Sequence, residues 1–393
     1  MLYLLNLRKQ SNQIELDQFF KIIDNKEKAS QVITKSAFFQ ARKQLSHTAF
    51  TALNHQLIGD VYKHKRNLKT WKGFRLCAID GTSIRLPNTP GIAEHFGIQK
   101  GKPGQAGCTM GMASVFYDVL NQLVIDSCIH PRCTSERECA AEHLAHAGQK
   151  DLIIYDRGYP AFWLYAFHLR HNHAFCMRAT TNRSVVVREF IESNKREAVI
   201  TFMPNKLSIQ TCKEKGLSTA PIKLRLVRVD LPNDVEVLMT NLMDKEVHDA
   251  NIFKSLYHLR WGIEENYKRL KQWVEIENYS GKSVLSVKQD FYAKIVASNL
   301  TAIMAIAGQK KATRKAASCR LKYQINSAQA LSKMKHNIVT FILQAANGIL
   351  VKLEQMIDYI SRSVEAVRGG RSSPRSLKNI KNDIHFSAYK SAL

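Results

Sequence analysis

The chain has 393 residues, 45% of them hydrophobic, enough for two or three domains and at least one substantial core, which excludes a disordered protein. Lys and Arg number 58 against 33 Asp and Glu, a formal net charge of +25, so polyanions are attracted before any specific contact forms. Nucleic acid is the first partner class this implies and an anionic membrane surface the second.

The eight cysteines include no CxxC pair and no tight Cys/His cluster, which predicts neither a zinc module nor a disulfide framework and fits a reducing cytoplasm. The opening MLYLLNL is a poor signal peptide; it looks like the inside of a helix and raises the expectation of a truncated reading frame. Residues 1–70 read as short amphipathic helices, with Phe38, Ala41, Leu45 and Phe50 near helical period. Arg42, Lys43, Lys63, Lys65 and Arg66 make this helical region a candidate DNA-binding module.

From Lys72 the pattern changes. FRLCAIDGTSIRL is a short apolar run ending in Asp80 and Gly81, as a buried strand would finish. The Gly-rich GIQKGKPGQAG lacks the Ser or Thr that a P-loop needs after Lys102 and reads as a mobile loop. MGMASVFYDVLNQLVIDSCIH reads as two strands joined near Asn121, with Asp118 and Asp126 as turn or cross-strand residues. TSERECAAEHLAHAG predicts a helix opened by a Ser135/Glu138 capping box and stopped at Gly148. DLIIYDRGYP is a second buried strand, ending in Asp156, and a helix with Trp163, Leu164 and Phe167 follows. His168, His171 and His173 read as surface histidines. Three strands, a helix, a strand and a helix over residues 71–173 are the plan of an α/β, ribonuclease H-like mixed-sheet core, whose strand ends deliver acidic residues to one edge.

Residues 174–245 interrupt that plan. SVVVREF, EAVITF, LSIQT, IKLRLVRV and VEVLMT predict an all-β insertion, and the alternation of Ile222, Leu224 and Leu226 with Lys223 and Arg225 predicts a sheet with one wet face. The core resumes over 246–300. A basic helical region, 301–393, runs with breaks at Gly308 and Gly348 to about Val367 and ends in a flexible tail. Its apolar stretch IVTFILQAANGILVKL is interrupted by Gln344 and Asn347, so no membrane span is expected. From Gly281 to Leu393 there are 19 Lys and Arg against 5 Asp and Glu, or +14, and QKKATRKAASCRLK is a candidate for contact with the DNA backbone.

In YHLRWGIEENYKRLK, a helical turn of about 100° per residue puts Tyr257, Arg260, Glu264 and Lys271 within an arc of about 60°, beside the apolar face of Leu256, Leu259, Ile263 and Leu270. Arg260 and Glu264 alone are explained as an i,i+4 pair. Together with Asp80 and Asp156, however, Glu264 completes three carboxylates, the hard oxygen donors of a Mg²⁺ site, and clustered carboxylates need cations to offset their repulsion. Two such ions activate a water or 3′-hydroxyl on one side of a phosphodiester and stabilise the leaving oxygen on the other. Arg260, Lys271 and Lys268 would hold DNA phosphates, with Tyr257 packed against the same backbone.

The spacing Y-x2-R-x3-E-x6-K, matched at Tyr257, Arg260, Glu264 and Lys271, resembles the signature of DDE transposases of the insertion-sequence-four type. AIDGTSIRL resembles that family's first-aspartate block, IIYDRGYP its second, and LMTNLMDKEV the segment before the glutamate helix, so the likeness covers about residues 35–300. It implies that Asp80, Asp156 and Glu264 are the catalytic, metal-binding triad for two Mg²⁺ ions, with Mn²⁺ able to substitute. Arg157 and Tyr159 look like members of its D-R-G-Y block and are expected beside DNA. The implied reaction is cleavage at the ends of an insertion sequence and strand transfer into target DNA, often through a hairpin, by a homodimer on DNA in the nucleoid-associated cytoplasm. Relatives that form the hairpin can use a Trp from the insertion; here Trp71, Trp163, Trp261 and Trp273 all lie outside 174–245. Two alternatives stay open: a DNA-binding remnant without catalysis, and a nuclease of the same fold that cuts without joining.

Overall fold

Strand β1 (Arg75–Arg85) is covered on both faces, since Cys77 and Ile79 enter one apolar core while Ala78 and Ile84 enter another. The computed structural model describes residues 1–6, 10–64, 68–101, 106–180, 184–232, 234–344 and 348–367. The expectations for Lys65, Arg66, residues 102–105 of the Gly-rich loop and the tail from 368 lie outside them.

Among the described residues nine strands form one mixed sheet. On one side β1 pairs antiparallel with a strand that itself carries two partners: β2 (Ile98–Gln99) at its start and, beyond that, β4 (Leu123–Pro131); this strand is β3 (Cys108–Asp118). On the other side β1 runs parallel to β5 (Asp151–Tyr155), and β5 parallel to β6 (Ala174–Arg178). Parallel neighbours need crossovers, and helix Phe162–Arg170 supplies the one from β5 to β6. Helix Glu136–His143 lies between β4 and β5. The expected three strands, helix, strand and helix occur in that order, but a helix, Pro90–Phe96, and the short β2 intervene after the first strand. Strand β1, however, does not finish at Asp80. It runs on to Arg85 beside β3, and what ends is its pairing with β5, at Ala78↔Ile154.

The all-β insertion is corrected to a mixed extension of the same sheet. The strands β7 (Glu197–Phe202), β8 (Ile222–Leu231) and β9 (Asp234–Thr240) pair antiparallel in series, and β9 joins β6 at Cys176↔Thr240. SVVVREF and LSIQT are helical, in Val185–Glu192 and Lys206–Glu214. Side-chain caps decide this: Ser184 accepts from the Val187 amide and Asn205 from the Ser208 amide, and short apolar runs fit either period. Arg225, expected on a wet face, is fully buried; it pairs with Glu197, donates to the carbonyls of Leu242 (3.2 Å) and His248 (2.7 Å), and lies 5.3 Å over the Phe253 ring.

Arg42 is likewise no surface cation. Its guanidinium is buried against Asp290 (2.8 Å), Gln289 (2.8 Å) and Ser280 (2.8 Å), which locks helix Lys35–Arg42 to the long helix Val284–Lys315. Gly308 does not break that helix: a Cβ there would stand 3.0 Å from Ile325 Cδ1 and 3.4 Å from the Ile357 carbonyl, so glycine permits close packing. Gly348, at φ 120°, does precede a new helix, Ile349–Ser361. Lys322–Ile325 and Val364–Val367, expected to be helical, pair as a small antiparallel ribbon. The stretch Val284–Arg314 is long and apolar enough to cross a membrane, yet its Val287, Phe291, Val296 and Met304 are buried in the protein's own cores.

Candidate active site

The site forms where β1 loses its parallel neighbour. Asp80 and Asp156 each stand two residues beyond the last pair, Ala78↔Ile154, Asp80 still within β1 and Asp156 in the turn that follows β5. Asp80 is held by the continuing β1–β3 ladder, opposite Val115, whereas Asp156 is held by its own turn, in which the Gly158 amide donates to Oδ1 at 2.7 Å.

Glu264 is delivered by helix Trp261–Gln272, which is separate from helix Ile252–His258 that carries Tyr257. A tighter turn joins them, with the Arg260 amide donating to the Tyr257 carbonyl and the Ile263 amide to that of Arg260, both at 3.0 Å. Ile263 and Leu270 bury this helix in the core that holds Ala78 and Val115. The Tyr267 hydroxyl donates to the Asp80 carbonyl (2.6 Å), and Lys271 Nζ donates to Thr82 Oγ1 (2.9 Å) and the Ser83 carbonyl (3.0 Å). Thus the helix is fastened along β1. Arg260 then connects two of the acids, lying 2.6 Å from Glu264 Oε1 and 3.9 Å from Asp80 Oδ2, while its guanidinium stacks 5.8 Å above the Tyr257 ring.

Burial pushes the Asp80 carboxyl up to about 7; Asp156 and Glu136 push the same way, and Arg260 opposes them. Glu136 is the residue that sequence reasoning missed. It begins helix Glu136–His143, its carboxyl is raised by burial and by Asp156, and it reaches the site because Gly81 has no side chain. The expected capping box is absent: Ser135 Oγ accepts from the Arg137 amide (3.3 Å), and Glu138 pairs with Lys215 (2.9 Å). Arg137 Nε donates to the Gly158 carbonyl (2.9 Å), tying the helix to the Asp156 turn. A clustered set of carboxylates, one of them driven toward protonation, is what hard divalent cations fit.

The other expected contacts divide. Arg157 is exposed, and Lys268 is exposed beside Glu265 at 2.5 Å. Tyr159 and Tyr257 are buried, Tyr257 as the platform for Arg260 and Tyr159 with a hydroxyl that has no hydrogen-bond partner among the described residues. His168 and His173 are buried, not on the surface; burial drives His168 down to about 3, and its Nε2 meets the Tyr155 hydroxyl at 2.9 Å. Asp118 serves the turn, accepting from the amides of Leu120 and Asn121 at 2.9 Å. Folding brings Cys128, His130 and Cys139 together, a grouping that their spacing in sequence does not show. A largely apolar cleft of about 520 Å³ on the far side of the glutamate helix, lined by Val274, Ala302 and Ile306 among others, also carries the cations of Lys69, Arg269, Lys310 and Arg314.

Residues 71–300 match the transposase DDE domain family, and the chain belongs to that family. It is 25% identical over 275 residues to the transposase InsG for insertion sequence element IS4 of Escherichia coli K12, an alignment covering 68% of this chain and 60% of that protein. The chain thus spans less than two thirds of that relative's length. A cryo-EM structure of the piggyBac transposase synaptic complex with hairpin DNA aligns with a TM-score of 0.43 and 10% identity, over 96% of this chain and 77% of that one.

Proposed function

We propose that this chain is a transposase that cuts DNA at the ends of an insertion sequence and joins them to target DNA, with Asp80, Asp156 and Glu264 as its catalytic carboxylates. The observation that supports this reading is that Asp80 and Asp156 share one position past their last strand pair, while the Arg260 guanidinium lies within 4 Å of both Asp80 and Glu264. The strand order β4-β3-β1-β5-β6, antiparallel and then parallel, supports a ribonuclease H-like core. Glu136 is a fourth oxygen donor beside the triad. The chemistry supplied there by two bound Mg²⁺ ions, or Mn²⁺ in their place, is activation of the attacking hydroxyl and stabilisation of the leaving oxygen.

The protein's own contribution is positional. Tyr267 and Lys271 fix the helix that bears Glu264, and Arg260 compensates negative charge between the acids until cations or a phosphate take that role. Exposed Arg157 and Lys268 and the cleft cations Lys310 and Arg314 follow the DNA backbone. Joining two element ends calls for at least a dimer on DNA.

The test uses a labelled duplex carrying an element end, incubated with protein and Mg²⁺. Wild type nicks it, whereas Asp80→Asn, Asp156→Asn and Glu264→Gln bind it without nicking. Cleavage at the wild-type rate by any of the three removes that residue from the site.

A further inference from the structure

Strand β4 and helix Glu136–His143 face one another across metal-ligating side chains. The two-residue period of β4 puts Cys128 and His130 on one face, and Cys139 meets them from the helix, so that ligand atoms of all three lie within 4.8 Å of one another. We propose that Cys128, His130 and Cys139 bind a zinc-class cation, separate from the Mg²⁺ chemistry of the carboxylates.

The donor set selects the ion. Two thiolates and an imidazole suit Zn²⁺ and disfavour Mg²⁺. In a tetrahedral zinc shell the ligand atoms stand roughly 3.3–3.8 Å apart, so closure needs movements on the order of 1 Å. Both cysteines are buried and unoxidised, and a pair of sulfurs so placed loses two protons to solvent when the cation enters. The Nε2 of His130 meets Glu142 Oε2 at 2.7 Å; a carboxylate on one ring nitrogen, leaving the lone pair on the other, is the pattern of carboxylate–histidine–zinc arrangements. The His130 side chain is 30% exposed, which gives the ion an entry path and a water for its fourth position.

The site would tie β4 to the helix that begins with Glu136, three residues before Cys139. That consequence rests on the proposed reaction; the binding site does not.

Full-length reduced protein titrated with Co²⁺ decides the matter. One equivalent should produce a thiolate-to-cobalt charge-transfer band, and one equivalent of Zn²⁺ should bleach it. Cys139→Ser should abolish the band. His55→Ala should leave it intact, because the neighbouring group of His55, Asp126 and His146 offers only nitrogen and oxygen. If Cys139→Ser does not fold, His130→Ala serves instead, since the His130 side chain is partly exposed, and should shift or abolish the band. Cobalt bound without a thiolate band, no binding, or a band unchanged in the variant would overturn the site. Because every readout is spectroscopic, protein that fails to cut DNA leaves it standing.

Discussion

Gly81 and Glu136 meet at van der Waals range: a Cβ on Gly81 would stand 2.8 Å from Glu136 Cγ and 3.0 Å from its Oε1. The intruded atoms belong to a flexible side chain, so Gly81→Ala should displace the carboxylate and spare the fold. We expect the melting temperature to move by only a few degrees, while Mg²⁺-dependent nicking falls about tenfold or more, a barrier increase of at least about 1.4 kcal/mol. Glu136→Gln should lose a similar factor. Full nicking by both variants would show that three acids suffice.

The raised carboxyl of Asp80 predicts a linked dependence on pH and metal. A carboxyl whose pKa is higher in the folded state than in the unfolded chain weakens the fold when it ionises, so metal-free protein should lose stability as pH rises from about 4 to about 7, by at most about 4 kcal/mol from this group. Above pH 7 this contribution to the slope ends. Added Mg²⁺ should therefore raise the melting temperature more at pH 8 than at pH 5.5, where protons compete for the same oxygens. In Asp80→Asn both the slope and most of the metal effect should vanish. Thermal scans at the two pH values check this, and equal Mg²⁺ shifts would count against Asp80 as a ligand.

Arg42 separates a structural from a DNA-binding role. Asp290 is fully buried, so Arg42→Met leaves its carboxylate without the guanidinium and should cost about 3–5 kcal/mol in urea titrations. The folded fraction should bind DNA as wild type does, with the same salt slope. Unchanged stability with weakened binding would return Arg42 to the DNA surface.

For the cations of the cleft the salt dependence is the measurement. If Lys310 and Arg314 each meet a phosphate, converting both to Gln should lower the slope of log affinity against log salt by about 2. An unaltered slope would place the DNA elsewhere.

Much of the site was legible because chemistry and period coincided. Asp80 and Asp156 close apolar runs, and Glu264 borders the apolar stripe of its helix, so three acids announced themselves. Glu136 did not: its approach depends on the missing Cβ of Gly81, 55 residues earlier, which no local pattern records. Strands β1, β3, β4 and β5 followed from hydrophobic runs, whereas the two-residue β2 and β6, which lies at the start of the expected insertion, did not. The helices Val185–Glu192 and Lys206–Glu214 were missed because β-branched runs mimic strands until the capping Ser184 and Asn205 are weighed. Arg42, Arg225, Tyr159 and His168 looked like surface or ligand-facing groups, and their burial is set by partners distant in sequence or by tertiary packing.

The antiparallel seam between β6 and β9 also limits how this protein can be trimmed. Cys176↔Thr240 through Arg178↔Leu238 give β6 its outer neighbour, one strand away from the one that ends just before Asp156. Excising 185–240 as if it were a removable cassette would leave β6 as a naked edge open to pairing with other chains. A minimised version must keep β9 as a cover strip, and any graft into this region must be accepted at the β7 border, which already faces outward.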